Sequence, residues 1–206
     1  MIKVIAVSGL SRCGKDTFCN IAKNILTAKG YRVKQYSFAD QLKTEVAPFL
    51  SNLCGVDVWT QDSDVKKDIR DFLVWYGTTF WRKRDPKRWI REVDVQLKQY
   101  SNELDFALIS DVRYPNEGEW VHSMNGYLVH IAGYTHDRLD CIQRLYFDAP
   151  NKQEEINDPL VYNMSDYKFD WEMKYLTPDE AINDTQLRSE VLRALNSCDC
   201  FTESIS

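Results

Sequence analysis

The segment GLSRCGK at positions 9–15 constrains the fold most, because it stands between a predicted strand and a predicted helix. The run IKVIAVSG before it is apolar without alternation, which is typical of a strand buried on both faces of a parallel sheet. After Gly14, apolar residues recur at helical spacing, and Gly30 stands where a helix C-cap is expected. A loop of the form G-x-x-x-x-G-K in that context indicates a site for a polyphosphate.

The residue types of this loop suit an anionic ligand. Glycines let the backbone approach the ligand closely, and successive backbone N–H groups at a helix N-terminus present partial positive charge. Lys15 adds a full positive charge. The alternative is an ordinary glycine turn with an exposed lysine, which the flanking strand and helix disfavour. We therefore predict nucleotide binding, and the cofactor-binding candidates in the loop are Gly9, Ser11, Arg12, Cys13, Gly14, Lys15 and Thr17.

Asp16 departs from this loop pattern, which usually has a serine or threonine after the lysine to ligate Mg²⁺. A bare carboxylate would be repelled by phosphates, and a cation between them removes the conflict. We predict that Asp16 holds Mg²⁺, directly or through water, or faces the acceptor phosphate, while Thr17 donates its hydroxyl to a phosphate oxygen. Alternatively, Asp16 only complements the helix dipole, an effect worth about 0.3–1 kcal/mol.

The rest of the chain predicts alternating strands and helices, and this order favours a parallel sheet flanked by helices. We expect one α/β domain, 1–206, with a polar and irregular insertion or lid at 134–166. The other predicted elements are a strand at 31–38, a helix at 39–50 that Pro48 ends or kinks, a helix at 65–76 that Gly77 ends, a helix begun by Asp85 and Pro86, a strand at 105–110 followed by Asp111, a short helix at 116–124, a strand at 127–133, and a helix at 178–195 with Thr177 and Glu180 as its capping box.

Composition bounds the function. With 31 acidic and 26 basic residues the net charge is −5, which argues against non-specific electrostatic binding of nucleic acid. The six cysteines have no Cys-x-x-Cys spacing and no histidine cluster beside them, so we expect reduced thiols rather than a zinc site. No signal peptide opens the chain, and no stretch approaches the roughly 20 apolar residues of a membrane span. We therefore expect a soluble, cytoplasmic protein without a membrane partner.

The stretch SDVRYPNE places Asp111 and Arg113 just after a predicted strand, at the edge of the sheet where open α/β folds bind ligands. Asp111 suits Mg²⁺ or a sugar hydroxyl. Arg113 suits a phosphate, because its fork of donors matches the oxygens better than a lysine does. The alternative is a local Asp–Arg surface pair or a turn.

A basic cluster lies at positions 82–91 of this otherwise acidic chain. Such a run is by default a solvated helix face. With Trp81 and Trp89 interleaved, the cluster is also suited to nucleic acid or to a single nucleotide. The overall charge favours the mononucleotide.

Four blocks, SGLSRCGKDT, IRDFLVWYGTTF, RWIREV and LISDVRYPNEGEWV, resemble the deoxynucleoside monophosphate kinases of bacteriophages. The four blocks cover about a fifth of the chain. It implies a P-loop kinase fold, ATP and Mg²⁺, and transfer of the γ-phosphoryl group to a deoxynucleoside 5′-monophosphate in the host cytoplasm. Carried over by position, it implies a catalytic set of Lys15, Asp16, Arg70 and Arg113, a substrate-binding set of Arg70, Gly77, Thr78, Trp89, Asp111, Arg113 and Glu117, and Asp16 and Asp111 at the metal.

We expect residues 40–105 to form a helical acceptor-binding region and 134–166 a lid, although residues 40–65 and the last third of the chain do not match the family. The lid rests on analogy with nucleoside monophosphate kinases in general. Arg70 and Arg113 would hold the acceptor phosphate. Arg138 or Arg144 would act as a lid arginine, and Arg138 would also bind ATP. The alternative is that both lid arginines are solvated. Val74 stands where the family often has a glutamine, so the accepted base is not predicted.

Several alternatives stay open. The nearest is a P-loop kinase for another small phosphorylated acceptor, such as dephospho-coenzyme A, because the loop reports only the donor. A second is an ATP- and DNA-binding protein that is not a kinase, and a third is an inactive member of the fold that serves as an interaction module. The oligomeric state is open, with a homodimer as one option.

Overall fold

The computed structural model describes residues 2–60, 62–136, 143–173 and 177–198. The chain divides into two units. The first, which we call the sheet unit, comprises Met1–Tyr36 and Tyr100–Ser206, and the second, the helical unit, comprises Ser37–Gln99. The helical unit covers most of the segment 40–105, whose acceptor-binding role stays a prediction.

The sheet unit contains a six-stranded, mostly parallel sheet, which confirms the predicted α/β fold class. Its order is β2-β3-β1-β4-β5, and β6 pairs with β4. Among the described strands, β5 pairs with β4 in antiparallel orientation and the other pairs are parallel. The strands are β1 (Lys3–Ser8), β2 (Val33–Tyr36), β3 (Phe106–Val112), β4 (Tyr127–His136), β5 (Arg144–Tyr146) and β6 (Tyr167–Glu172).

Helices flank this sheet and also build the helical unit. In chain order they are α1 (Lys15–Ala28), α2 (Phe38–Cys54), α3 (Ser63–Val74), a π-helix (Trp75–Arg82), α4 (Arg88–Gln99), α5 (Pro115–Ser123), α6 (Lys152–Met164), α7 (Pro178–Asn183) and α8 (Thr185–Ser197). The segment from α2 to α4 forms the helical unit, which is inserted between β2 and β3 in the chain.

The core of the sheet unit lies between α1, α8 and the strands. Phe18, Ile21 and Ile25 recur at helical spacing, so one face of α1 is buried against the apolar strand residues. Val191 and Leu195 add the buried face of α8. Each fully buried side chain of this size stabilises the fold by about 1.5–3 kcal/mol, so this layer holds the loop between β1 and α1 in place.

Two predicted helix ends in the helical unit were wrong, while the alternative that Pro48 kinks its helix stays a prediction. Pro48 lies inside α2, which continues to Cys54 and ends at Gly55 with φ of 65°. Gly77 does not end a helix either, because α3 runs directly into the π-helix that contains it. In both places buried contacts outweigh the local preference of proline and glycine.

Other element boundaries also differ from the prediction. Asp85 and Pro86 form a turn, and α4 begins later, at Arg88. The last helix is interrupted at Asp184, whose carboxylate accepts from the Leu187 N–H and starts α8. The Thr177 and Glu180 capping box of α7 is confirmed.

The segment 134–166 is not irregular where the structure describes it. It contains the end of β4, the short strand β5 and the 13-residue helix α6. Pro159 inside α6 hid this helix from the sequence pattern. A lid role for the segment stays a prediction. Among the described residues, no helix has the length and apolar character needed to cross a membrane.

Candidate active site

The loop between β1 and α1 is tightly curled. Gly9, Arg12 and Gly14 have φ values of 129°, 69° and 88°. At Gly9 a Cβ atom would lie 2.3 Å from the carbonyl oxygen of Ile131, so only glycine fits there. Arg12 is a non-glycine residue in the left-handed region, a conformation that costs about 1 kcal/mol or more and is often found at functional sites.

Lys15 lies at the start of α1 with its ammonium group inside the loop. Its residue is only 7% exposed. Nζ donates to the carbonyl oxygens of Gly9 at 2.8 Å and Leu10 at 2.6 Å. The N-cap residue, Gly14, has no side chain to accept from the first N–H groups of α1. A buried cation beside uncapped N–H groups fits the phosphates of a nucleotide.

Asp16 and Asp111 both lie close enough to Cys19 to act on its thiol. Burial raises the pKa of the Cys19 thiol well above its usual value, and the carboxylates of Asp16 and Asp111 raise it further. Two carboxylates near the loop suit Mg²⁺, which usually takes one or two carboxylates and completes its shell with phosphate and water oxygens. Among the described residues, no group of three or more His, Cys, Asp or Glu side chains gathers to hold a metal ion by itself. Metal binding by Asp16 and Asp111 stays a prediction.

The loop from β3 to α5 carries Arg113 and is held by Glu117. The Glu117 residue is 0% exposed. Its Oε2 accepts from the backbone N–H groups of Arg113 at 2.8 Å and Tyr114 at 3.0 Å. These contacts place Glu117 under the loop as a support for Arg113. Direct contact of Glu117 with a substrate stays a prediction.

Glu154 on α6 joins this site, although the sequence reasoning missed it. Its Oε2 accepts from the Ser11 N–H at 2.9 Å, and its Oε1 accepts from the Ser11 hydroxyl at 3.2 Å. The Oε1 atom also accepts from Nη1 of Arg113 at 3.0 Å. The signal for α6 was present as Asn151 followed by Glu154, a helix-start spacing, but the partners of Glu154 lie too far away in the chain to be predicted.

Ser8, His130 and Asp158 form a second polar group beside the loop. The Ser8 hydroxyl donates to the Val129 carbonyl at 3.1 Å and lies 3.0 Å from Nδ1 of His130, so we assign the proton of the ring to Nδ1. Burial, followed by the charges of Lys15 and Lys168, lowers the pKa of His130 to about 4. His130 is therefore neutral at pH 7, and its 3.7 Å contact with Asp158 is not an ion pair.

The remaining predicted acceptor residues lie in the helical unit. Trp89 is only 1% exposed, and its Nε1 donates to the Gly77 carbonyl at 3.1 Å. A Cβ on Gly77 would lie 2.2 Å from Cδ1 of Leu42, which accounts for glycine in the π-helix. Thr78 is half-buried. Arg70 is exposed on α3, and its side chain makes no hydrogen bond or ion pair with any described residue.

Aromatic rings surround the π-helix, a feature that composition alone did not predict. Phe72, Tyr76 and Phe80 stack in a column with centroid distances of 6.2 and 6.0 Å. Trp75 lies 5.6 Å from Phe80 and is exposed. Exposed aromatic faces of this kind can stack on a nucleobase. π-helical segments are frequently found at functional sites.

The basic cluster at 82–91 is partly neutralised within the helical unit. Arg88 donates to Glu45 at 2.5 Å, and Arg91 pairs with Asp85. Of the predicted lid arginines, Arg138 lies outside the described residues. Arg144 is exposed and donates to Asp170 at 2.9 Å.

No known protein-family model matches the sequence, and no curated protein matches it. Solved structures match in shape. A dephospho-CoA kinase from Campylobacter jejuni matches with a TM-score of 0.47 and 15% identity over 95% of this chain and 96% of that chain. A shikimate kinase from Acinetobacter baumannii, in complex with shikimate, matches with a TM-score of 0.45 and 14% identity over 97% of this chain and 96% of that chain. A sugar kinase from a Janibacter species matches with a TM-score of 0.42 and 10% identity over 95% of this chain and 98% of that chain. TM-scores below 0.5 at these identities establish neither a family nor an activity.

Proposed function

We propose that this chain is an ATP-dependent deoxynucleoside monophosphate kinase that transfers the γ-phosphoryl group of Mg·ATP to a deoxynucleoside 5′-monophosphate, giving the diphosphate and ADP. The observation that carries the proposal is the buried Lys15 ammonium inside a curled glycine loop at the N-terminus of α1. Two carboxylates and a half-exposed arginine lie around that loop. The choice of a deoxynucleoside monophosphate rests on the resemblance of the sequence blocks.

On the donor side, the residues bind and neutralise the phosphates. Lys15 exchanges the carbonyl oxygens of Gly9 and Leu10 for phosphate oxygens, and the N–H groups of the α1 first turn donate to the same ligand. Asp16 and Asp111 are the residues that would hold Mg²⁺, which supplies positive charge to the transferring oxygens. Phosphoryl transfer requires mainly positioning and charge neutralisation, so this set suffices for the donor.

On the acceptor side, the resemblance of the sequence blocks assigns the 5′-phosphate to Arg113 in the sheet unit and to Arg70 in the helical unit. Arg113 presents a guanidinium that is 41% exposed, and Arg70 is exposed on α3. The exposed ring of Trp75 offers a stacking face for the base. Arg138 or Arg144 would close over the transferred group and exclude water, which otherwise competes as acceptor.

The test is ADP release from Mg·ATP with each common deoxy- and ribonucleoside monophosphate and with dephospho-coenzyme A. We expect turnover that depends on the acceptor, and we expect Lys15→Ala to lower it by about a thousandfold or more, since a full charge on the transferring oxygens is lost. The matched control is Lys23→Ala, which removes an exposed lysine from the same helix and should leave turnover unchanged.

Other outcomes would redirect the proposal. A preference for dephospho-coenzyme A over every nucleotide would change the acceptor and keep the phosphate site. ATP binding without turnover on any acceptor would contradict a kinase. In that case salt-sensitive DNA binding that survives Lys15→Ala would favour the DNA-binding alternative.

A further inference from the structure

We propose that Glu154 is a positioning residue that joins the phosphate loop to Arg113, so that one carboxylate aligns the donor and acceptor phosphate sites. The inference rests on the proposed function. Glu154, which lies on α6, would thus contribute to catalysis without touching a substrate.

The carboxylate of Glu154 is saturated by donors from three segments. Ser11 comes from the loop after β1, Arg113 from the loop after β3, and Asn151 from the N-terminus of α6. Oε2 accepts from the Ser11 N–H, and Oε1 accepts from the Ser11 hydroxyl, from Nη1 of Arg113 and from Nδ2 of Asn151 at 3.0 Å. Glu154 is 7% exposed, and a carboxylate buried to this extent requires hydrogen-bond partners of this kind.

Glu154 holds Arg113 from one side only. The Nη1 atom donates to Glu154, and the rest of the guanidinium has no acceptor among the described residues. With 41% of the side chain exposed, its remaining donors are accessible to a ligand. A guanidinium with one nitrogen hydrogen-bonded and its other N–H groups available is suited to a phosphate, because its planar donors can form two parallel hydrogen bonds.

Capping of α6 does not account for these contacts. The helix start is satisfied by Asn151, whose Oδ1 accepts from the Glu154 N–H at 3.0 Å. The Glu154 side chain instead reaches residues that are 143 and 41 positions away in the chain. A residue needed only for the helix would not have to bury a carboxylate between two loops.

The test is a double-mutant cycle between Glu154→Gln and Arg113→Lys. Each variant is measured for acceptor kcat and KM and for Mg·ATP affinity by direct binding. Glutamine keeps the shape but removes the charge that orients Arg113. We expect Glu154→Gln to lower kcat/KM for the acceptor about tenfold or more, with the Kd of Mg·ATP changed less than about threefold. In the Arg113→Lys background the same substitution should change kcat/KM less than about threefold, because the guanidinium plane that Glu154 orients is already gone.

The matched control is Glu155→Gln, which removes the same charge from the next residue. Glu155 is exposed and pairs with Lys152 at 3.2 Å, so kinetics should stay at the wild-type level. Thermal unfolding of every variant checks that it is folded. If Glu154→Gln does not fold, Glu154→Asp takes its place in the cycle, since it keeps the charge and withdraws it by one methylene.

Losses that multiply in the double mutant would overturn the inference and leave the kinase proposal intact, since Glu154 and Arg113 would then act independently. A lowered melting temperature with unchanged kcat and KM would also overturn it. Wild-type protein that turns over no acceptor contradicts the proposed function itself, and the inference falls with it. The wild-type measurement comes first, so the two failures are distinguishable.

Discussion

At the scale of single residues, the polar groups beside the loop between β1 and α1 differ in charge although they lie close together. Lys15 is positive within the loop, His130 is neutral at pH 7, and Asp158 is the neighbour whose charge changes near neutral pH. Burial is the main cause for Asp158, since it penalises the ionised carboxylate. The net charge beside the loop between β1 and α1 therefore depends on pH.

Asp158 should make stability depend on pH. Burial raises the pKa of Asp158 from 3.8 to about 6; Lys15 lowers it and Glu154 raises it further. Between these values the folded state binds more protons than the unfolded state, so stability falls as pH rises through the window, and the penalty is complete above it. We expect Asp158→Asn to remove at most about 3 kcal/mol of this penalty at pH 7 and none of it below pH 4.

Urea unfolding of the wild type and Asp158→Asn from pH 4 to pH 7.5 measures this effect. The stability of the variant relative to the wild type should rise across the interval. Parallel pH profiles for the two proteins would show that Asp158 does not titrate there.

At the scale of elements, the loop between β1 and α1 depends on a close approach by β4. Gly133 of β4 lies against Cys13, and an added Cβ would be 2.9 Å from both Cα and Cβ of Cys13. Gly9 meets the carbonyl of Ile131 in the same strand. The curled loop is thus shaped from outside by a strand more than a hundred residues later in the chain, as well as by its own glycines.

Gly133→Ala should therefore damage both stability and nucleotide binding. The new methyl group has to displace the loop backbone at Cys13, and overpacking of this kind costs about 1–3 kcal/mol. Denaturant unfolding and ATP binding measure the two effects. Ala132→Ser is the matched control, because its side chain points to the opposite face of β4. A Gly133→Ala protein with normal stability and a normal ATP Kd would contradict this account of the loop.

At the scale of the whole molecule, ligand binding should stabilise the folded chain by mass action. A ligand at about 100 times its Kd adds about 2.7 kcal/mol, or roughly 5–10 °C in melting temperature for a chain of 206 residues. If Asp16 holds Mg²⁺, removing the metal with EDTA should reduce the shift that ATP causes in the wild type. In Asp16→Asn the shifts with Mg²⁺ and with EDTA should be alike.

Thermal unfolding with ATP, with and without Mg²⁺, measures these shifts. Lys15→Ala should show little shift under either condition, since it lacks the phosphate-binding charge. An unchanged Mg²⁺ dependence in Asp16→Asn would favour the alternative in which Asp16 only complements the α1 dipole.

Prediction from sequence succeeded where the signal is local and failed where it is not. The strand–loop–helix around Lys15 was predicted because its glycines, its apolar strand and its helical period lie within a few residues of one another. The helix α6 was missed because Pro159 and a polar surface masked it. The π-helix was missed because Gly77 is an ordinary helix stop unless Trp89 and Leu42 pack against it.

The sequence by itself determined the α/β class and the strand and helix beside the loop, because backbone preferences and apolar periods act over short distances. Only the tertiary structure decided that Glu154 meets Ser11 and Arg113, that Trp89 is buried as a donor to Gly77, and that Glu117 supports a loop. These contacts join residues whose separation in the chain carries no pattern. They exist because packing brings buried polar groups together and requires each to find a partner.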